Sequence, residues 1–460
     1  MNATAEILFR PPAPAPRKKP LGFFGMLHTL RNNPIEIWTE DHFRKTVLIG
    51  SSAFGVRAVI NDPAAVKRIF LDNAANYPKD ELQLRVLRPG LGRGLLTAEG
   101  EDWRAMRRAL APLFTPRQVA AFAPAMDAAV CDCVENIRKK RDGRVLDMSQ
   151  EMARLTLAAL ERTLFSTGLG RNADEFQRAV TAFLDTAGRL DPLDLLGLPD
   201  FLPRIGRMRG RKTIEWFAQT VRDIVETRRA LIASGKPAPR DILSLLLEAQ
   251  DPESGKGLSE EDLYANIITF INAGHETTAN ALTWTLYLLS QSPQWLERVE
   301  TEAAEALANG AIETLADRMP VAKAVLEESM RLYPPAAILT RGVLKAEELA
   351  GVTVPPGAIV TVSPYVLHRH QTLWRDPDRF DPTRFLPENR ESIDRFAYIP
   401  FGAGPRICIG MGFAMQEMSI ALARLTSAFR FELQPGHTVK PMQRITLRPL
   451  GGMPMIVRHR

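Results

Sequence analysis

One cysteine, Cys408, lies in a glycine-rich turn that leads into a helix, and this arrangement restricts the fold more than any other feature. The turn spans residues 401–410 and reads FGAGPRICIG, and a helical pattern follows it. The first amides of a helix lack intrahelical acceptors and the helix dipole is positive there, so both favour a thiolate. Glycines let the backbone close around the sulfur, and Arg406 adds positive charge nearby. The sequence therefore predicts a thiolate that serves as a nucleophile or as a metal ligand.

The chain has only three cysteines. An odd and sparse set argues against a disulfide framework and for a reducing compartment, which predicts a cytoplasmic protein. Cys131 and Cys133 flank Asp132 in a helix-like stretch, where residues two apart point to different faces, so we interpret both as packing residues. For Cys408 the alternative interpretation is a buried structural cysteine in a tight turn.

The spacing Phe-x-x-Gly-x-Arg-x-Cys-x-Gly resembles the haem-ligand signature of the cytochrome P450 superfamily. Every fixed position is matched, at Phe401, Gly404, Arg406, Cys408 and Gly410. The resemblance implies that haem b (iron protoporphyrin IX) is the cofactor and that Cys408 is the axial ligand of its iron. It covers nearly the whole chain after about residue 20.

Length and composition allow a large folded core. A chain of 460 residues is long enough for two or three domains on length alone. Hydrophobic residues make up 45% and charged residues 24%, which is ordinary for a soluble globular protein. The net charge of +6 is weak support for an acidic partner, and no aromatic-basic repeat indicates nucleic-acid binding. No apolar run approaches the roughly 20 residues of a spanning helix and no secretory signal is present, so no membrane anchor is expected.

The predicted elements run from a strand-bearing start through a long helical middle to a strand-bearing end. β-Branched runs at residues 46–49 and 56–60 predict a hairpin, and residues 101–291 are mostly helical in pattern. This order resembles the single triangular fold of the cytochrome P450 family. The resemblance implies a mainly α protein with small β-sheets (α+β), with haem between a long central helix and the cysteine loop. We therefore expect an extended proline-rich leader at residues 1–20 and one haem-thiolate monooxygenase domain at residues 21–460.

A long helix is predicted from Ser259 to about Gln291. Ser259 is a suitable N-cap with Asp262 three residues later, and the length corresponds to roughly 48 Å. Gly274 in its middle costs about 1 kcal/mol relative to alanine, so something flat is expected to approach there. Thr277 can bend the helix by bonding to a preceding carbonyl.

Glu276 and Thr277, in the same helix, match the acid-alcohol pair of the family. Oxygen activation requires protons, and a hydroxyl with a carboxylate behind it can organise their delivery through water. The resemblance therefore implies a catalytic role for both residues. The alternative is an ordinary core helix with His275 and Glu276 at its surface. We interpret His275 as a bystander.

A structural cluster is expected on the helix that carries Glu328 and Arg331. These residues lie three apart on one helix face, and the family joins them to an arginine that corresponds to Arg384. We assign this triad a folding role, because it would steady the loop before Cys408.

A second set of residues is expected to hold the haem propionates, which are anions at neutral pH. Guanidinium groups suit carboxylates because they make charge-assisted hydrogen bonds. The residues that correspond to the family's propionate partners are Trp103, Arg107, Arg341 and Arg406. Arg104 and Arg108 are expected to face solvent, where they can meet an acidic redox protein.

Substrate contacts are expected by analogy in four places. Residues 82–96, Ile268, Asn272 and residues 336–339 should line the distal pocket, and their apolar character suits either a hydrophobic substrate or an ordinary core. Residues 193–202 form an apolar, proline-broken stretch that suits an access lid, with buried packing as the equal alternative.

The resemblance to the cytochrome P450 family therefore implies a soluble haem-thiolate monooxygenase, which we expect to be a monomer. The expected reaction inserts one oxygen atom of O2 into a small hydrophobic organic substrate. The chain ends soon after its last strands, so electrons are expected from separate proteins, plausibly a ferredoxin and its reductase. One alternative is a peroxygenase of the same fold, which the intact Glu276-Thr277 pair argues against. The other is a haem-binding sensor without catalysis, since fold does not fix function.

Overall fold

A helix of 31 residues, Glu260–Ser290, forms the centre of the fold, and most of its side chains are buried. We describe the protein from a computed structural model, which covers residues 8–52, 55–166 and 205–460. The α-helices of these residues are α1 (Phe23–Asn32), α2 (Pro63–Lys67), α3 (Glu81–Leu91), α4 (Gly100–Leu110), α5 (Pro116–Arg138), α6 (Met148–Phe165), α7 (Ile205–Ala233), α8 (Ile242–Glu248), α9 (Glu260–Ser290), α10 (Pro293–Ala308), α11 (Pro320–Leu332), α12 (Pro364–Leu367) and α13 (Met411–Ala428).

Short strands lie mainly before α2 and after α11. They are β1 (Val47–Ser52), β2 (Gly55–Ile60), β3 (Arg144–Asp147), β4 (Leu339–Gly342), β5 (Glu347–Leu349), β6 (Val352–Val354), β7 (Ile359–Val362), β8 (Phe429–Leu433), β9 (Pro441–Gln443), β10 (Leu447–Pro449) and β11 (Pro454–His459). The predicted fold class, mainly helical with small sheets, is confirmed.

The strands of the described residues form four sheets. The largest has the order β1-β2-β7-β4, in which β2 and β7 are parallel and the other pairs are antiparallel. Its β1-β2 hairpin, with Val47 opposite Ile60, confirms the hairpin predicted from the β-branched runs. An antiparallel sheet has the order β3-β11-β8, and the pairs β5-β6 and β9-β10 stand alone. Arg341 lies in β4 of the largest sheet, opposite Val360 of β7.

Local capping signals decide where the helices near the site begin. Ser259 Oγ accepts a hydrogen bond from the Asp262 amide at 3.1 Å, so α9 begins where the sequence predicted. Asp80 caps α3 by accepting from the amides of Leu82 and Gln83. These caps fix where α3 and α9 begin, and the two helices pack against each other.

The core is built around α9, which packs against α6 on one side and α11 on another. The helix that follows the cysteine turn, α13, packs against α5. Trp284 of α9 stacks on Tyr333 with ring centroids 3.9 Å apart, and both are fully buried. Within the described ranges, no helix has the length and apolar character that crossing a bilayer requires.

Residues 8–20 follow the surface of the helical body without regular helix. The Arg17 amide donates to Trp38 O, and the Phe380 amide donates to Phe9 O, each at 2.9 Å. Tyr333 Oη donates to Pro12 O at 2.7 Å. The division of the chain at residue 20 stays a prediction.

Candidate functional site

The turn before α13 brings its backbone close to another segment of the chain. The Cys408 amide donates to Phe401 O at 2.9 Å, which closes the turn. Gly404 has a φ of +69°, and a Cβ built there would overlap the carbonyl oxygen of Phe70. Only glycine fits this combination of left-handed backbone and close approach. The predicted tight turn is confirmed, and α13 begins at Met411 as expected.

The Cys408 side chain is accessible although protein surrounds it, so it lines a space inside the molecule. Burial raises the pKa of its thiol, while the Gly410 amide and the Arg107 guanidinium act in the opposite direction. The expected preference for a thiolate is therefore wrong for the side chain by itself, because desolvation outweighs both groups. Coordination to a metal deprotonates a thiol outright, so this position suits a metal ligand better than a free nucleophile.

Three cations converge near this turn, and we call Lys79, Arg341 and Arg406 the cationic cluster; the first two are buried and Arg406 is partly buried. Burial and repulsion from the two arginines lower the pKa of Lys79 to about 7. Burial and repulsion from Arg406 lower the pKa of Arg341 to about 10. Glu99 pairs with Arg406 at 3.0 Å and offsets part of this positive charge. The cluster therefore holds positive charge that the protein neutralises only in part.

The polar contacts of the cationic cluster are mostly to carbonyl oxygens. Lys79 Nζ donates to Leu96 O, and Arg406 Nη1 donates to Ala98 O at 3.1 Å. Arg341 Nη1 donates to the carbonyl of the preceding residue at 2.7 Å. A carbonyl satisfies a donor without cancelling its charge, so the cluster retains affinity for an anion.

Trp103 and Arg107, on consecutive turns of α4, lie beside these cations. The Arg406 guanidinium stands 4.1 Å above the centre of the Trp103 ring, which is itself buried. Burial lowers the pKa of Arg107, and the nearby Cys408 sulfur raises it. Arg107 is thus the cation that acts on the sulfur, in the role that the sequence analysis gave to Arg406. All four predicted propionate partners lie in one region.

A haem fits this set of residues because its two propionates supply the missing negative charge. Lys79 was not predicted from the sequence, and the structure adds it to the four expected residues. Its local sequence, Tyr77-Pro78-Lys79-Asp80, has no feature that separates it from a surface lysine. Only its burial beside Arg341 and Arg406 marks it.

One residue in the middle of α9 is exposed. Ala273 is exposed within an otherwise buried part of the helix, so it faces a space inside the protein. Thr277 Oγ1 donates to Ala273 O at 2.6 Å, which confirms the predicted bond to a preceding carbonyl. Glu276, the next residue toward the amino terminus, approaches Arg448 Nη1 to 3.7 Å through Oε1. The predicted acid-alcohol pair therefore lies beside an internal space and near an arginine.

One expectation about the same helix turn is wrong, and so is one part of the alternative interpretation. Gly274 does not face a flat group, because a Cβ built there would lie 3.2 Å from both Leu160 methyl carbons, so α6 is what approaches. His275 is not at the surface but fully buried, and its Nδ1 lies 3.0 Å from Thr156 Oγ1. Burial lowers its pKa to about 4, so the ring is neutral at pH 7. Both residues serve the contact between α9 and α6.

The expected triad, which we call the Arg331 cluster (Glu328, Arg331 and Arg384), is present with one difference. Arg331 forms two hydrogen bonds with the Glu328 carboxylate, at 2.6 and 2.8 Å, and both residues are fully buried. Arg384 Nε lies 3.6 Å from Glu328 Oε1 without a hydrogen bond. The second acceptor role of that oxygen goes to the Asp381 amide at 2.8 Å. The triad therefore depends mainly on one ion pair.

Arg104 and Arg108 differ in exposure, although both were expected to face solvent. Arg104 is 58% exposed and pairs with Glu101 at 3.2 Å. Arg108 is 26% exposed and binds Asp251 through two hydrogen bonds at 2.7 and 3.0 Å. Hydrogen bonding to Arg108 lowers the pKa of Asp251 below its usual range. Arg108 therefore joins α4 to the segment before α9, and its expected solvent-facing role is wrong.

The residues expected to line the substrate pocket differ in their burial and in their contacts. Gly94 lies so close to α9 that a Cβ would be 2.8 Å from Ala265 O, and Leu95 N donates to Asn266 Oδ1 at 2.9 Å. Asn272 is buried and Ile268 is only partly buried. Residues 193–202 lie outside the described residues. A separate surface cleft of about 360 Å³, between α4 and the start of α9, contains none of the catalytic candidates.

Comparisons with known proteins agree with this geometry. A profile of the family described as Cytochrome P450 matches residues 16–454. The chain is 34% identical to cyclooctatin synthase of Streptomyces melanosporofaciens, over 84% of this chain and 83% of that protein. It is 35% identical to cyclooctat-9-en-7-ol 5-monooxygenase of the same organism, over 76% of this chain and 75% of that protein. The crystal structure of the cytochrome P450DA haem domain superposes with a TM-score of 0.84 at 25% identity, over 99% of both chains.

Proposed function

The chain belongs to the cytochrome P450 family, and we propose that Cys408 is the residue through which it ligates haem iron. As a member of this family it is a haem-containing monooxygenase that uses O2 and an organic substrate. Haem, when bound, supplies the chemistry that inserts one oxygen atom into that substrate. The observation that carries the assignment of Cys408 is its position: an accessible sulfur inside the molecule, in a turn that tolerates only glycine at position 404.

We propose that the cationic cluster, together with Trp103 and Arg107, holds the haem propionates. Carboxylates would neutralise buried positive charge that the protein leaves partly unpaired. Trp103 supports the Arg406 guanidinium from its ring face, which fixes the direction of that side chain.

Proton delivery is the role we propose for Glu276 and Thr277. The Thr277 hydroxyl uses its hydrogen in the bond to Ala273 O, so its oxygen lone pairs are left to accept from a water in the adjacent space. Glu276 can exchange protons with such a water, because its side chain is 14% exposed. The pair would thus move protons from solvent to the oxygen-binding side.

The proposed substrate is a small hydrophobic molecule with a hydrocarbon skeleton of the terpenoid kind. Two relatives support this class, because one is named a synthase of cyclooctatin and the other a monooxygenase of cyclooctat-9-en-7-ol. Compounds of this class are expected to shift the spin state of the ferric protein, since they would displace water beside the iron. A panel of terpenoid alcohols and fatty acids of matched size tests the class. Shifts with fatty acids alone would contradict it.

We propose that electrons come from a separate ferredoxin and its reductase, and that Arg104 contributes to the docking surface. Arg104 is mostly exposed and lies on α4, the helix that carries Arg107 toward the cysteine. Charge reversal, Arg104→Glu, is expected to slow reduction by an acidic ferredoxin and to leave the thermal unfolding midpoint nearly unchanged. Arg108→Glu is the contrasting variant, because it breaks the bond to Asp251 and should lower that midpoint. Equal reduction rates for Arg104→Glu and wild type would remove this docking site.

The decisive test of the proposed function is oxygen incorporation. Wild-type protein with reduced nicotinamide, a ferredoxin and its reductase is expected to place one atom of labelled O2 in the product. Turnover with hydrogen peroxide that needs no reductant would favour a peroxygenase instead. Ligand binding without consumption of reduced nicotinamide would favour a sensor.

A cytoplasmic, monomeric protein is proposed as the working state. The three cysteines are free, which is consistent with a reducing compartment. Gel filtration of the haem-loaded protein tests the oligomeric state, and a mass of twice 51.2 kDa would contradict a monomer.

A further inference from the structure

The carboxylate of Glu276 has a cationic neighbour from a distant part of the chain. Arg448, in β10, places Nη1 3.7 Å from Glu276 Oε1. The two side chains are 29% and 14% exposed, so the protein shields most of this contact from solvent. An ion pair that is shielded in this way is less weakened by water and salt than one at the surface.

The two residues before Arg448 contact the same face of α9. Asn280 Nδ2 donates to Thr446 Oγ1 at 3.0 Å, and Trp284 Nε1 donates to Leu447 O at 3.1 Å. Glu276, Asn280 and Trp284 are spaced by four residues, so they lie one above the other on the helix. We call residues 446–448 the α9 strap. It accepts hydrogen bonds from the two helix turns that follow the turn carrying the proposed proton-delivery pair.

The α9 strap is itself held by the rest of the fold. Leu447 N donates to Pro335 O at 3.0 Å, and β10 pairs with β9 in an antiparallel register. The other end of this hairpin is fixed to the amino-terminal region, because Gln443 N donates to Asn33 Oδ1 at 3.0 Å. Arg448 therefore projects from a support that cannot easily shift along α9.

The opposite side of the same helix turn is also fixed. His275, adjacent to Glu276, is buried against α6, where Thr156 Oγ1 lies 3.0 Å from its Nδ1 and donates to its carbonyl oxygen at 3.1 Å. Rotation of α9 about its axis would break these contacts and those of the α9 strap together. The backbone at Glu276 is therefore held in place from both sides, by α6 and by the α9 strap.

We propose that Arg448 is a positioning residue for Glu276: the α9 strap holds this arginine where it confines the Glu276 carboxylate to the part of the internal space next to Thr277. An ion pair with Arg448 restricts the rotamers of the Glu276 side chain, and each rotamer away from the relay is lost to catalysis. Arg448 acts through Glu276 and is not itself a catalytic residue. The inference rests on the proposed proton-delivery role of Glu276 and Thr277.

The contact itself is tested by a double-mutant cycle on the haem-loaded protein. Thermal unfolding midpoints are compared for wild type, Arg448→Gln, Glu276→Gln and the double variant. If the two side chains interact, the double variant is expected to unfold at a higher temperature than the sum of the single effects predicts. Additive effects would overturn the proposal, whatever the protein catalyses.

The positioning role is tested by how the protein divides O2 between two products, in the absence of added substrate. Two electrons and two protons convert O2 into hydrogen peroxide, and four electrons and four protons convert it into two waters. Reduced nicotinamide, a ferredoxin and its reductase supply the electrons. If proton delivery fails, Arg448→Gln is expected to raise the ratio of peroxide to water by roughly 10-fold.

Two further variants distinguish a positioning role of Arg448 from a nonspecific structural effect of removing a cation. Arg448→Lys retains a cation on the strap and is expected to restore part of the wild-type ratio. Arg444→Gln removes a cation from the same hairpin, where Arg444 donates to Asn32 O at 2.6 Å, and is expected to behave as wild type. An unchanged ratio in Arg448→Gln, or an equal change in Arg444→Gln, would overturn the proposal. Wild type that consumes no reduced nicotinamide would instead contradict the proposed function.

Discussion

Two groups of cations inside this protein differ in how completely the protein itself provides their hydrogen-bond acceptors and counter-charges. In the Arg331 cluster the protein supplies every partner of Arg331, which donates five hydrogen bonds, two to Glu328 and three to the carbonyl oxygens of His368, Pro377 and Arg379. In the cationic cluster the protein supplies few, and its members repel one another.

The difference separates a folding site from a binding site. A buried ion pair with every donor satisfied gains nothing from an added ligand, and its loss damages the fold. Buried cations that share too few anions are costly to the protein alone, and an incoming dianion removes that cost. The predictions below give the two clusters opposite responses to mutation, because stability depends on one and haem retention on the other.

The largest effect is expected from Glu328→Gln. This change leaves Arg331 charged and fully buried without its carboxylate, which costs about 3–5 kcal/mol of unfolding free energy. Thermal or denaturant unfolding of the haem-loaded protein measures the loss. The matched control is Glu327→Gln, since Glu327 neighbours Glu328 but pairs with Arg390 at 3.5 Å near the surface. Equal losses in the two variants would contradict the special role of the Arg331 cluster.

Arg341→Gln is expected to weaken haem retention rather than the fold. Loss of one charge-assisted hydrogen bond of about 1.5–3 kcal/mol should speed haem transfer to excess apomyoglobin by roughly 10-fold or more. Removing a buried cation also relieves repulsion on Lys79 and Arg406, so the unfolding midpoint of the haem-free protein should not fall. Transfer at the wild-type rate would show that the cationic cluster does not hold the cofactor.

Lys79→Met is expected to change the protons exchanged when haem binds. In the protein alone the pKa of Lys79 is lowered from 10.5 to about 7, so this lysine is mostly neutral between those pH values. Nearby propionates favour its charged form, and binding should then take up about one proton near pH 8.5. Calorimetry in buffers of different ionisation enthalpy measures the difference between variant and wild type. Identical proton exchange in both would place Lys79 away from the propionates.

The lowered pKa of Lys79 also determines how its contribution to the stability of the haem-free protein changes with pH. The unfolded chain holds the Lys79 proton up to about pH 10.5 and the folded chain releases it near pH 7. Between these values the unfolded state binds more protons, so the contribution of Lys79 to stability rises with pH. Lys79→Met should remove that rise.

The smallest effect is expected from Arg384→Lys. Arg384 lies 3.6 Å from Glu328 and makes no hydrogen bond to it, so the substitution should cost about 0.2–1 kcal/mol. Haem transfer should stay at the wild-type rate, which also makes this variant the control for Arg341→Gln. A loss comparable to that of Glu328→Gln would restore Arg384 to full membership of the triad.

The sequence predicted features that depend on neighbours along the chain. The Ser259 cap, the helix that begins after Gly410 and the bond from Thr277 to the preceding turn involve residues within four positions of each other, and all three are confirmed. The glycine-rich turn around Cys408 belongs to the same group. Local sequence and backbone chemistry were sufficient to predict these four features.

Features that depend on distant segments were missed or wrong. Lys79 meets Arg341 and Arg406 only after folding, and Glu276 meets Arg448 in the same way. Helical periodicity does not say which neighbour a face will contact, so a flat group was expected beside Gly274, where α6 approaches instead. Arg108 was assigned to solvent because Asp251 lies far away in sequence.

The account as a whole depends on a thiolate bond between Cys408 and haem iron. Absorbance of the reduced protein under carbon monoxide reports this bond most directly, and wild type is expected to show the red-shifted Soret band of thiolate ligation. Cys408→Ala is expected to lose that band. Wild type that retains haem without the band, or an alanine variant with the wild-type spectrum, would contradict the account.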